Sequence, residues 1–170
     1  MATKPQTQDG VDRLIADWAP ELEGIDLEVE AVVQRFQAIV RAVRRRMEET
    51  LAEFGLTTGE WGILGHLSLS GTPYRSSPSK LAEKEGLSSG AMTNRLDRLE
   101  EAGLVERLPD PKDRRALYVE LTDKGRRLWQ ETVGVQASKE AAIAAALTGR
   151  ELAQLNKLLR KVLLELERER

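Results

Sequence analysis

Residues 88–98 contain the side chains of this sequence that are best suited to bonding a nucleic acid. They read Ser-Ser-Gly-Ala-Met-Thr-Asn-Arg-Leu-Asp-Arg. An asparagine such as Asn94 can bond adenine through two atoms, and Gly90 lets a ligand approach the backbone closely. Ser88 and Ser89 can begin a helix whose free amide groups suit a phosphate. The segment therefore predicts contacts to DNA.

The spacing of the apolar residues indicates which side of this helix is free. Three apolar residues recur at helical spacing and are expected to pack inward: Met92, Leu96 and Leu99. At 100° per residue, Gly90 and Asn94 lie on the opposite side. Three polar residues flank that side: Thr93, Asp97 and Arg98. Arg95 projects nearer the apolar edge, where it favours a phosphate over a base.

A shorter helix precedes this one. Ser77 can cap it, Pro78 suits the first helical position, and Gly86 ends it. A tight turn then leads to a cap at Ser88 or Ser89. This order predicts a helix-turn-helix whose second helix presents the polar face.

A hairpin with a basic loop follows the second helix. Residues 104–108 and 116–121 are typical of strands, and the loop between them has two prolines. The loop carries three cations: Lys112, Arg114 and Arg115. An arginine there can enter a narrow, electronegative minor groove, and Asp113 could hold Arg115 in position. A solvated loop with incidental charge is the alternative, but the two preceding helices favour a DNA-binding wing.

Together these segments resemble the MarR family of winged-helix transcriptional regulators. The matching motifs are residues 87–100, Gly103-Leu104-Val105, residues 110–115 and Leu121-Thr122, and the resemblance extends from about Asp26 to the C-terminus. It implies a homodimer on a pseudo-palindromic operator, with the second helices in adjacent major grooves and the wings in minor grooves. The resemblance places these residues on recognition-helix positions: Ser88, Ser89, Thr93, Asn94, Arg95 and Arg98. It places Arg115 at the wing tip.

The predicted fold is mainly helical with a small β-hairpin wing. Residues 1–25 are an N-terminal extension with a short helix that Asp9 caps. Residues 26–56 and 123–170 are expected to form a helical dimerisation region, and residues 57–122 a winged helix-turn-helix domain. The other long helices begin at predicted caps: Asp26, Thr57, Thr122 and Thr148.

The helices around this domain carry more apolar surface than a small monomer needs to bury. In the last helix, apolar residues recur at spacing similar to that of a coiled coil: Leu152, Leu155, Leu159, Val162 and Leu166. We expect the last two helices to join the long N-terminal helix in a dimer interface.

Candidate effector contacts come from four residues: Trp18, Arg45, Trp61 and His66. Each also has an ordinary structural interpretation, because tryptophans anchor packing, arginine runs are usually solvated, and a lone histidine is usually structural. The early helix with Trp18 resembles the urate-responsive branch of the family. That branch has an acid and an arginine where this chain has Gly62 and Leu69. The sequence therefore favours an aromatic or phenolic anion.

Composition excludes several classes of protein. The chain has 170 residues, a formal net charge of −2 and no cysteine, which excludes disulfides and cysteine-based redox sensing. One histidine without cysteine disfavours a zinc site. No segment is typical of a transmembrane helix or a signal peptide, so a bacterial cytoplasmic, nucleoid-associated protein is expected.

No catalytic motif is present, so neither an enzyme nor a bound cofactor is expected. The leading hypothesis is a sequence-specific dimeric transcription factor, a repressor that a small ligand releases from its operator. An architectural DNA-binding protein with little sequence choice and no ligand is the alternative. A winged helix that binds only proteins is a third possibility, in which Arg115 would not matter for regulation.

Overall fold

The computed structural model describes residues 8–21, 23–109 and 117–169. The elements in chain order are α1 (Gly10–Trp18), α2 (Leu27–Glu53), α3 (Thr58–Ser68), β1 (Arg75–Ser76), α4 (Pro78–Glu85), α5 (Ser89–Glu101), β2 (Val105–Pro109), β3 (Leu117–Leu121), α6 (Asp123–Ala144) and α7 (Gly149–Arg168). The predicted fold class, mainly helical with a small wing, is confirmed. The chain divides into two compact units, residues 1–49 and residues 50–170.

The helices begin at the polar residues from which the sequence predicts them to begin. Thr57 and Thr148 each form a capping box with the glutamate three residues later, and Asp9 forms one with Asp12. Asp26 accepts from the amides of Glu28 and Val29 at the start of α2. Single caps begin the remaining helices: Ser77, Ser88 and Thr122. Local hydrogen bonding therefore determines where these helices start.

Apolar side chains from α3, α4, α5 and the sheet form the core of the second unit. Its most deeply buried members are Ile63, Leu64, Leu67, Leu81, Met92, Leu96, Leu99, Val105 and Val119. Leu121 and Gly125 pack the sheet against the start of α6, and a Cβ on Gly125 would lie 2.1 Å from the carbonyl oxygen of Leu104. This core fixes α5 beside α3, α4 and β2.

The wing sheet has three antiparallel strands in the order β1-β3-β2. The predicted hairpin is present, with Val105 opposite Leu121 and Pro109 opposite Leu117. Just before α4, the short strand β1 pairs with β3, which the sequence does not predict. A strand of two residues is too short to show alternating hydrophobicity, so the sequence pattern does not reveal it.

In the first unit, α1 is joined to α2 by a charged cluster. Arg35 of α2 contacts Asp9 through Nε at 2.9 Å and Asp12 through Nη2 at 2.5 Å. The hydrogen bond from Arg35, assisted by backbone amides, lowers the pKa of Asp9 from 3.8 to about 2. This contact therefore stabilises α1 fully above pH 3.8 and loses its contribution as the pH falls through about 2.

We expect Arg35→Gln to release α1 from α2, because it removes the cation that both aspartates share. Amide exchange across residues 10–18 should become faster at pH 7, and the pKa of Asp9 in a carboxyl NMR titration should return toward 3.8. Arg41→Gln on the same helix is the control. Unchanged exchange in Arg35→Gln would contradict this role.

Candidate nucleic-acid interface

The first turns of α5 present an exposed polar face. Ser88 caps the helix by accepting from the amide of Ala91 at 3.3 Å. Four residues of the face are exposed: Ser89, Gly90, Thr93 and Asn94. The Thr93 hydroxyl donates to the carbonyl of Ser89 at 2.9 Å. The side-chain amide of Asn94 makes no hydrogen bond to any residue that the structure describes, so it is available to an external partner.

Gly90 leaves the surface of this face open. A Cβ built on Gly90 would meet nothing within 4 Å. A side chain at this position would therefore project outward, between the helix backbone and any molecule that approaches it. Glycine here allows the closest approach of a ligand to the α5 backbone.

The opposite side of α5 is buried, as the sequence predicts. Met92 and Leu96 are each 1% exposed and Leu99 is 2% exposed. These side chains pack toward α3, α4 and β2, so α5 is held along one side only. The exposed polar face follows from this packing, because the two sets lie on opposite sides of one helix.

Four residues with hydroxyl groups and four apolar residues, Pro78, Ala82, Met92 and Leu117, line an open groove of about 370 Å³ between α4, α5 and β3. Ser77, Ser79, Ser89 and Thr93 contribute these groups, and we call this region the hydroxyl groove. The groove also borders the N-terminal end of α4, where backbone amides and hydroxyls suit a phosphate. From the sequence, Ser77 is expected only as a cap, and Ser79 has no expected role. The sequence feature that could have indicated the groove is the Ser-Pro-Ser run at the start of α4.

The two arginines of α5 predicted to bind DNA both form ion pairs within the protein. Arg95 is 30% exposed, and its Nη1 lies 3.7 Å from Oε2 of Glu85 on α4. Arg98 is 62% exposed, and its Nε lies 3.7 Å from Oε1 of the buried Glu60 on α3. Arg98 therefore has more room than Arg95 to reach an external phosphate. DNA contact by either residue stays a prediction.

Arg107 of β2 forms a further ionic contact with α5 that the sequence analysis missed. Its guanidinium bonds Glu100, and also Asp97 at 2.6 Å, while its backbone amide donates to Glu100 at 3.0 Å. Burial lowers the pKa of Arg107, but the bonds to the two carboxylates outweigh it and the net pKa is raised. The single positive charge of Arg107 therefore offsets part of the negative charge of these two acids beside the polar face. The sequence feature that could have indicated this contact is a pair of acids three residues apart, Asp97 and Glu100, on a helix followed by a strand that contains Arg107.

The wing strands lead to a tip whose residues lie outside the described part of the chain. The last strand pair is Pro109 opposite Leu117. The four residues of the tip that the sequence analysis selected are Lys112, Asp113, Arg114 and Arg115, and they fall within this undescribed segment. Their roles stay predictions.

Comparisons with known proteins give the family. A model of the MarR family matches residues 56–117. The HTH-type transcriptional regulator PecS of Dickeya dadantii is 30% identical over 152 residues, which are 89% of this chain and 92% of PecS. The chain belongs to the MarR family.

Two solved structures are similar to this chain. MarR from E. coli, solved as a cysteine-to-serine mutant complexed with operator DNA, is 28% identical with a TM-score of 0.62. That similarity covers 80% of this chain and 96% of the MarR chain. YusO from Bacillus subtilis has a TM-score of 0.70 at 24% identity, covering 92% and 99%, and so shares the fold. The protein is thus a winged helix-turn-helix transcriptional regulator and not an enzyme, as expected.

In this MarR-family chain, the two candidate effector residues of the second unit are engaged by protein groups. The Trp61 indole donates from Nε1 to the hydroxyl of the buried Thr132 at 2.9 Å, and Thr132 donates to the carbonyl of Trp129. His66 is one-third exposed, and its Nε2 lies 2.9 Å from Oε1 of Glu85. A role for either side chain in ligand binding stays a prediction.

The two candidate effector residues of the first unit are exposed. Trp18, at the end of α1, is 38% exposed. Arg45 on α2 is paired only loosely with Glu49, at 3.8 Å, and its side chain is 74% exposed. Arg45 is therefore largely solvated, whereas Trp18 is more buried than exposed. Their assignment to an effector also stays a prediction.

Within the described residues, no group of His, Asp and Glu is arranged to hold a metal ion. No described helix is both long and apolar enough to cross a membrane.

Proposed function

We propose that this regulator is a homodimer that reads a pseudo-palindromic operator by inserting α5 of each protomer into the major groove. The observation that carries the proposal is the free side-chain amide of Asn94 on the exposed face of α5. An asparagine amide matches the N6 and N7 edge of adenine, which gives two bonds and discriminates against other bases. The E. coli relative solved with operator DNA supports the choice of an operator as the partner.

Within this proposal the contacts divide between phosphates and bases. The serines of the hydroxyl groove and the amides at the N-terminus of α5 suit phosphates and fix the register, whereas Thr93 and Asn94 face base edges. Arg98 is exposed enough to add a phosphate contact. The proposal assigns the wing cations, Lys112, Arg114 and Arg115, to the adjacent minor groove.

The proposal of a dimer rests on α7. Its side chains are exposed along the whole helix, including Leu152, Leu155, Leu159, Val162 and Leu166. Fully burying a leucine or valine side chain contributes about 1.5 to 3 kcal/mol, and the five side chains of this stripe are 41–57% exposed, so each can contribute only part of that energy on association. A second copy supplies the same stripe, which suits a symmetric interface.

We also propose that the protein acts as a repressor and that a small aromatic or phenolic anion releases it. A ligand releases DNA only if it binds more tightly to a dimer whose half-site spacing does not fit the operator. The exposed indole of Trp18 and guanidinium of Arg45 suit an aromatic ring and an anion. Gly62 and Leu69 lack the charged groups found in the urate-responsive branch, so urate itself is not the proposed effector.

Asn94→Ala should weaken binding to a selected operator by about 1 to 3 kcal/mol and relax base choice at one position of each half-site. The loss follows from removing both bonds to one base while the phosphate contacts remain. The operator is first obtained by selection from random and genomic DNA at near-physiological salt. Affinity is then measured by fluorescence anisotropy on operator and random DNA.

The control is Gln130→Ala, which removes an exposed amide from α6 and should change neither affinity. Equal losses on operator and random DNA for Asn94→Ala would contradict base reading by this residue. A flat selection profile with salt-sensitive binding would instead favour the architectural alternative.

Leu159→Glu should dissociate the dimer, because it places a charge in the centre of the apolar stripe of α7. Sedimentation velocity should show a dimer for the wild type and a monomer for the variant. Gln154→Glu adds the same charge about 140° around the helix and should leave the dimer intact. A dimer that persists in Leu159→Glu would remove α7 from the interface.

A further inference from the structure

Three helices of the second unit meet at one carboxylate. Glu85 is the last residue of α4, and its side chain is 15% exposed. Its Oε1 lies 2.9 Å from Nε2 of His66 on α3, and its Oε2 lies 3.7 Å from Nη1 of Arg95 on α5. We call these three residues the Glu85 cluster. It connects the recognition helix to both helices on which that helix packs.

Two glycines of α3 provide the space for this cluster. A Cβ on Gly59 would lie 1.9 Å from Nη1 of Arg95, and a Cβ on Gly62 would lie 2.7 Å from Oε1 of Glu85. Gly59, Gly62 and His66 fall on one side of α3, since their spacing is three and four residues. Glycine weakens a helix relative to alanine. The close approach of Arg95 and Glu85 gives a physical reason for both glycines.

This geometry separates Arg95 from its neighbour on the exposed face. Arg95 is less than one-third exposed and lies across Gly59, whereas Asn94 is exposed. A carboxylate that is largely buried needs a paired cation, because an unpaired charge is costly away from water. Arg95 therefore balances Glu85 at the edge of the apolar side of α5.

We propose that Glu85 is a positioning residue for DNA recognition, which holds Arg95 across Gly59 and thereby fixes the rotation of α5 about its own axis. Asn94 precedes Arg95 by one residue, about 100° around the helix, so a rotation of α5 moves the Asn94 amide relative to a base edge. The buried side chains of α5 fix which side of the helix faces the core, and the Glu85 cluster adds a polar contact at the edge of that side. This inference rests on the proposed operator binding.

A direct contact between Arg95 and a phosphate makes the opposite prediction for Glu85. In that case Arg95→Gln weakens binding to all DNA alike and lowers the salt slope by about one, while Glu85→Gln strengthens binding by removing an acid. If Arg95 acts through Glu85, both substitutions lower discrimination between operator and random DNA. Glu85→Gln therefore strengthens DNA binding in the first case and lowers discrimination in the second. Arg95→Gln weakens binding to all DNA alike in the first case and mainly weakens operator binding in the second.

The experiment compares wild type, Glu85→Gln, Arg95→Gln and the double variant on operator and random DNA over a range of salt. Glutamine keeps the size of Glu85 and an acceptor oxygen but removes the charge. We expect each single variant to lower the ratio of operator to random affinity by roughly threefold or more, as for members of one ion-pair network. The double variant should lose no more than the larger single effect. Circular dichroism confirms that each variant is folded.

Gly62→Ala provides a second variant that leaves every charge in place. Its new methyl group displaces the Glu85 carboxylate, so discrimination should fall while binding to random DNA stays unchanged. Gly134→Ala on α6 is the matched control, because a Cβ there meets nothing within 4 Å. It should keep the wild-type ratio.

Wild-type discrimination in Glu85→Gln would overturn this inference, and so would a uniform loss with a lower salt slope in Arg95→Gln. Additive losses in the double variant would also overturn it, because they would show that the two residues act independently. A wild-type protein that does not distinguish operator from random DNA would instead overturn the proposed operator binding.

Discussion

The burial of Met92, Leu96 and Leu99 is the contact on which the rest of the proposed DNA-binding surface depends. These side chains are almost completely excluded from solvent and attach α5 to the core along one side. Because a helix places residues 90 and 94 opposite that side, the same packing exposes Gly90 and Asn94. Without it, the polar residues would have no fixed direction, and contacts to particular base edges would require ordering on binding.

Ion pairs then hold the side chains on the flanks of α5, which apolar packing does not position. Arg107 bonds Asp97 and Glu100. Arg98 lies near Glu60. Arg95 lies near Glu85. These charges on the flanks of α5 are therefore paired within the protein, with three arginines facing four acids. This arrangement is consistent with a chain whose net charge is −2 although its relative MarR from E. coli was solved with operator DNA. Readout in such a protein depends on the placement of a few groups and not on a broad positive field.

Features set by local sequence could be predicted, and features set by distant contacts could not. Helix caps such as Ser77 and Ser88 involve neighbours within a few residues, and so does the apolar spacing of α5. Both can therefore be recognised in the sequence. The pairing of Arg107 with Asp97 and Glu100 depends on the direction in which β2 runs after the end of α5. β1 is too short to show a pattern. Gly59 and Gly62 were visible as glycines in a helix, but their partners became known only from the fold.

Replacing one atom of the operator tests most directly whether the exposed face of α5 reads bases. The adenine preferred most strongly in each selected half-site is changed to 7-deazaadenine, which removes only the N7 acceptor. Wild type should lose about fivefold or more in affinity, as expected for a bond to the major-groove edge, while Asn94→Ala should lose almost nothing. An equal loss in both proteins, or no loss in wild type, would contradict the assignment of Asn94 to that adenine.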